Sequence, residues 1–320
     1  MDALWIMFRN VLVFVALAVP GYILIKTKIL KVEQSAALSK LLMYVGMPFL
    51  IISSTIEKIT FNKDVIVTIL VALLLTVVVT VLAFFASKPA SMIEKEEKAR
   101  GMMRFCSIFS NNGFLGIPLA MAVLKDNPNA IMVLIVMNIV TNVLMYTLGI
   151  YLISGDKKAI SVKKALLNPV LIAFIIGIIL NLVNIKKYIP EVATFSTHFS
   201  NIVTPISMTI LGMKMGGVKM LSLFKTWKTY YVSAIKLIIF PALVIGILFA
   251  LRAIFDGKVI DSAIILGAFI ALATPTAGLA STFSDAFNGD TEGAVAYTLG
   301  STLLSVLTLP VLYWLVCILL

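Results

Sequence analysis

The stretch Ser110-Asn111-Asn112-Gly113-Phe114-Leu115-Gly116-Ile117-Pro118 puts two amides, two glycines and a proline inside an otherwise apolar segment. Proline lacks the amide hydrogen and clashes with the preceding turn, while glycine accepts backbone angles that other residues avoid. An interrupted helix is therefore expected. At membrane depth, an interruption survives only where protein or a water-filled cavity surrounds the freed peptide groups. Asn111, Asn112, Gly113, Gly116 and Pro118 are accordingly candidate ligand-binding residues. A second segment of this kind holds Thr274, Pro275, Thr276 and Gly278, followed by Ser281, Thr282 and Ser284. Where two such helices cross at their breaks, half-helix amino ends offer unpaired N–H groups and partial positive charge. A carboxylate or another anion suits that environment.

Asn138 and Asn142 are four apart and share a helix face with Thr141, a stripe that can line a cavity or glue helices together. Thr298, Ser301, Thr302 and Ser305, also at helical spacing, read as glue. Lys236 is the one Lys or Arg well inside a predicted span. An intramembrane cation is a functional candidate that favours an anionic substrate. Lying about two turns from the cytoplasmic end of its helix, Lys236 could instead snorkel to the headgroups.

No Asp or Glu falls in the middle of a predicted span, so a proton or sodium relay built on a buried carboxylate has no evident carrier. The coupling ion, proton or sodium, stays open. HExxH, Walker A and GxSxG patterns are missing, and no catalytic residue, metal ligand or cofactor is expected. His198 reads as a surface residue and Cys106 and Cys317 as inert core residues. Gly212 and Gly216 match GxxxG, yet Lys214 between them favours a span end over a dimer face.

The elements that must position these residues are apolar throughout. The 320-residue chain is 61% hydrophobic and 13% charged, with a mean hydropathy of +1.07. A soluble domain carries about 25% charged residues, so this is an integral membrane protein. Its net charge of +11 is better explained by loops held on the cytoplasmic side than by nucleic acid, which is not an expected partner. Windows of about 20 apolar residues place spans near 5–25, 38–56, 65–86, 103–124, 130–153, 168–184, 197–215, 229–251, 260–283 and 293–318. Arg9 before Ala16-Leu17-Ala18 faintly suggests a cleaved leader, but the apolar run from Met1 to Ile25 reads better as a span. Seventeen Lys and Arg fall in 26–40, 88–104, 157–164 and 214–228, and eight on the other side. The positive-inside rule then puts both termini outside the cell membrane.

Pro48 and Pro118 are 70 residues apart, as are Pro205 and Pro275, so a shift of 157 carries one pair onto the other. That shift divides ten spans into five plus five. Because five is odd, the second copy crosses in the opposite sense, the inverted repeat common in secondary transporters. One membrane domain over 1–320 is expected, with repeats near 1–153 and 165–320 and a basic cytoplasmic loop near 154–167. Asn111 and Asn112 fall on Ala268 and Phe269 under this shift, which makes the repeat one of fold and not of chemistry.

The chain resembles the auxin efflux carrier family, PIN-like, which includes bacterial malonate and malate permease-type members. The resemblance rests on Met47-Pro48, the stretch from Ser110 to Pro118, and Asn168-Pro169 with Ala173 and Gly177. It is completed by Thr204-Pro205 through Leu211-Gly212, Lys236 to Pro241, Ala273-Thr274-Pro275 and Gly300-Ser301-Thr302-Leu303-Leu304. It implies an all-α membrane fold of ten transmembrane helices in two inverted five-helix repeats, with broken helices 4 and 9 crossing, as in bile-acid transporters. It also implies a scaffold and a mobile domain, elevator-type motion, a homodimer in the lipid bilayer, and Asn111, Pro118 and Pro275 at the crossing. The long hydrophilic central loop of many plant members is missing, and the second break lacks an Asn close to its proline. The expected function is secondary transport of a small organic anion, a mono- or dicarboxylate such as malonate or malate, or an auxin-like acid. A gated channel and a transporter-fold receptor are the alternatives.

Overall fold

Long apolar runs fold into long helices because lipid leaves backbone groups no other partner. In the computed structural model, which describes residues 2–58, 63–160, 163, 166–219, 223, 225–257 and 259–320, no strand occurs among these residues. The helices are α1 (Asp2–Lys26), α2 (Val32–Glu57), α3 (Lys63–Ala90), α4 (Glu97–Ile108), α5 (Asn112–Val123), α6 (Pro128–Ser154) and α7 (Pro169–Leu182). They continue with α8 (Glu191–Asn201), α9 (Val203–Gly216), α10 (Trp227–Ile254), α11 (Ser262–Ala273), α12 (Ala280–Ala286) and α13 (Thr291–Leu319). Six of them, α1, α2, α3, α6, α10 and α13, are long and apolar enough to cross a membrane by length and composition. Lys164 and Lys258, counted above for orientation, and part of the basic loop lie outside the described residues.

Side-chain caps set several helix starts. Asn127, Asn168, Asp261 and Asp290 each accept a hydrogen bond from a backbone N–H two or three residues on, which opens α6, α7, α11 and α13. Pro128 and Pro169 follow two of these caps, where a missing N–H costs nothing. The expected spans 103–124 and 260–283 are each two helices, α4 then α5 and α11 then α12. The expected span 197–215 is likewise α8 and α9, meeting at Ile202.

Packing sorts the helices into two sets. In one, α1 lies against α9, α9 against α2, and α2 against α7 and α8. In the other, α3 packs on α4 and α6, α6 on α11, α10 on α11 and α13, and α4 on α13. The sets touch through α1, which also meets α13 and α5. Gly212 and Gly216 face α1 at close range, and a Cβ on Gly212 would collide with the Ala18 carbonyl. That glycine pair is thus a helix seam within one chain. α6 runs centrally: 61% of its span is buried, against 22–33% for the other five long helices.

Two pairs of helices are equal in length. α4 and α11 have 12 residues each and run from 97 to 108 and from 262 to 273, an offset of 165 at both ends. α3 and α10 have 28 residues each, starting at 63 and 227, an offset of 164. A shift of 157, the one drawn from the prolines, would carry the starts of α3 and α4 to positions seven and eight residues before those of α10 and α11. Pro118 lies within α5, directly after a π turn over Asn112–Gly116, whereas Pro275 lies in extended chain. The partner of Ser110 is Thr276, and Ala268 and Phe269 lie within α11.

Candidate functional site

α4 ends at Ile108 and α11 at Ala273, and the chain after each becomes extended. The two extended pieces pair as a minimal antiparallel bridge, Ser110 against Thr276. The Asn111 N–H donates to the Pro275 carbonyl at 2.7 Å, and the Ala277 N–H donates to the Phe109 carbonyl at 2.9 Å. Breaking a helix at membrane depth frees N–H and C=O groups, and here each break supplies partners for the other. Side chains complete the pairing. The Thr276 hydroxyl donates to the Cys106 carbonyl at 2.9 Å, and the Thr276 N–H donates to Ser301 Oγ at 3.1 Å. Ser301, expected as glue, thus holds the crossing.

Lys236 is fully buried, so it does not snorkel. Its ammonium donates to Ser110 Oγ and, at 3.1 Å, to the Leu272 carbonyl. It sits where α4 and α11 end, and a cation is favoured beside the negative ends of helix dipoles. A π turn over Ile235–Ile239 in α10 carries it there. Lys236 therefore stands behind the crossing and does not line the cavity described next.

In front of the crossing lies a cavity of about 40 Å³. Ser110, Asn111, Asn112, Gly113, Asn138 and Asn142 line it together with Met43, Met47, Asn168, Val170 and Gly278. Asn138 Nδ2 donates to Asn112 Oδ1 at 2.8 Å, Asn112 Nδ2 to Thr141 Oγ1 at 3.4 Å, and Asn142 Nδ2 to the Asn138 carbonyl at 2.8 Å. This chain of amides joins the first break to α6. Three polar groups on the cavity wall are unspent: Asn138 Oδ1, Asn168 Nδ2 and the half-buried Asn111 amide, which does not cap the helix that follows it. Gly113 lies within contact of Asn138 and Met47, leaving no room for a side chain.

The remaining expected residues do not line this cavity. Gly116 lets α5 approach Thr274, Pro118 lies within α5, and Thr274 and Pro275 are buried in the crossing. Asn111, Asn112, Gly113, Asn138 and Asn142 meet at the cavity, while Gly116, Pro118, Thr274, Pro275, Thr276 and Lys236 are not among its lining residues. Asn168 and Lys214 were not singled out as site residues. An Asn before a Pro at the head of an apolar run is a helix-cap signature, and that signal locates Asn168 at a helix end inside the bilayer. Lys214 Nζ donates to the Gly278 carbonyl at 3.0 Å and to Ser281 Oγ at 3.2 Å, steadying the second break. No group of His, Cys, Asp and Glu suited to a metal occurs among the described residues.

A search among curated proteins finds no match to the chain. A family model described as membrane transport protein matches residues 6–313. That match covers nearly all of a chain with six membrane-length apolar helices, and the protein belongs to this membrane transport family, the auxin efflux carriers and their PIN-like relatives.

Proposed function

We propose that the protein is a secondary transporter of a small organic anion, a mono- or dicarboxylate, across the cytoplasmic membrane by alternating access at the crossing. The observation that carries this reading is the cavity itself. Unspent amides face it, a cation stands behind its wall, and the half-helix α5 begins at it with its positive end. Amide donors and a helix amino end favour a carboxylate.

Ten spans in two inverted repeats suit the packing. The pairs α1–α9 and α7–α2 correspond under the repeat, as do α3–α6 with α10–α13 and α3–α4 with α10–α11. The two packed sets supply a scaffold and a moving part for an elevator-type step, with a homodimer as the working unit. A cavity of about 40 Å³ has room for a carboxylate group or a few waters. In this reading the sets move against each other during passage, which distinguishes it from an open pore. Flux of labelled malonate, malate and indole-3-acetate into proteoliposomes, with proton and sodium gradients imposed separately, tests it. Movement of one of these acids supports the assignment and identifies the coupling ion; failure of all three with a folded protein sinks it.

A further inference from the structure

We infer that Asn168 is a second anchor for the substrate carboxylate, donating from Nδ2 across the cavity to the group that Asn111 faces. This deepens the anion-transport reading and rests on it.

Asn168 is 3% exposed, lines the cavity, and has a side chain whose two ends do different things. Oδ1 accepts from the Val170 N–H at 2.8 Å and so opens α7. That bond fixes the orientation of the amide, because the other atom could not accept from an N–H. Nδ2 is left buried with no partner. A buried donor without an acceptor is costly, and a site that binds anions is one reason to keep it. Pro169 has no N–H and that of Val170 is already used, so the side-chain amide adds a donor at this helix start. The amino end of α7 adds positive potential at the same place.

The amides on the facing wall differ from Asn168 in one respect. Asn112, Asn138 and Thr141 form a chain whose polarity can reverse if the amides turn over together, offering the cavity an oxygen or an N–H. Asn168 cannot turn over without losing its helix cap. It is therefore the fixed donor, and it reads the ligand for an acceptor. α7 and the crossing also belong to different packed sets, so a ligand held by Asn168 and Asn111 bridges the parts that must move.

Asn168→Asp keeps a cap for Val170 but replaces the donor by a charged acceptor. Binding of labelled malonate, malate and indole-3-acetate to the full-length protein in detergent is compared with binding of neutral malonamide. For whichever acid the parent binds, Asn168→Asp is expected to weaken it at least about tenfold while malonamide binding is not weakened. Asn168→Ser, which also caps, should weaken the acid with unchanged melting temperature, and it carries the test if the Asp variant misfolds. Equal binding of the acid by parent and both folded variants overturns the role of Asn168 but leaves the transporter reading standing. If the parent binds none of the acids, the anion reading fails and this subsite with it.

Discussion

Lys236 on α10 hydrogen-bonds Ser110 at one break and the Leu272 carbonyl at the lip of the other, so a single cation holds both interrupted helices. α4 and α11 converge there with their carboxyl ends, each leaving unpaired carbonyls and partial negative charge. Water would satisfy such ends on a protein surface. In this buried crossing an ammonium group does so instead, which is why the site needs no carboxylate of its own. The front of the crossing is then left to neutral amides and the amino end of α5. Cation behind and free amides in front is an arrangement that admits an anion without a buried ion pair to break.

Removing that cation tests the arrangement. Lys236→Met preserves most of the volume and deletes the charge. Two acceptors then lose a charge-assisted donor, offset in part by relief of the buried charge, for a net loss of about 2 kcal/mol. A lower melting temperature in detergent is expected, with a drop in flux in proteoliposomes. A variant that melts and transports like the parent would show that the crossing does not depend on Lys236.

Local signals were easy to read and long-range ones were not. Gly113, Gly116 and Pro118 announce a break because each acts on its own backbone, but the break lies before them, at Phe109–Asn111, and all three lie within α5. The prolines at equal spacing do not share a local structure: Pro118 lies within α5 and Pro275 in extended chain. The fate of Lys236 depended on which helices end beside α10, and nothing within ten residues of it says so. Asn168 looked like an ordinary cap from its neighbours alone. Its spare amide matters only because α7 packs on α2 beside the crossing.

Gly113 offers a sharper probe of the cavity than any polar residue. A Cβ there would stand 2.9 Å from Asn138 Nδ2 and 3.3 Å from Met47 Cε. The Asn138 amide cannot retreat without giving up its hydrogen bond to Asn112. Gly113→Ala is therefore expected to cut flux at least about tenfold, since it disturbs the amide chain at the site itself. Gly246 in α10 has open space where its Cβ would go, so Gly246→Ala should leave flux unchanged and add up to about 1 kcal/mol of helix stability. Equal flux in both variants would mean that the cavity does not carry the substrate.

Asn111 and Asn138 separate function from support. The Asn111 side chain is half-buried and no hydrogen bond among the described residues uses it, although its backbone N–H holds Pro275. Truncating it to Ala keeps the backbone bond, so stability should change by less than about 0.5 kcal/mol while transport is lost. The Asn138 amide, in contrast, supports Asn112, and both residues are almost fully buried. Asn138→Ala leaves Asn112 Oδ1 without its donor and should cost about 1–3 kcal/mol as well as transport. Melting curves and flux measured on the same preparations distinguish the two. A silent Asn111 substitution would remove the amide from the substrate path, and an Asn111 variant that unfolds like Asn138→Ala would make it a strut of the crossing.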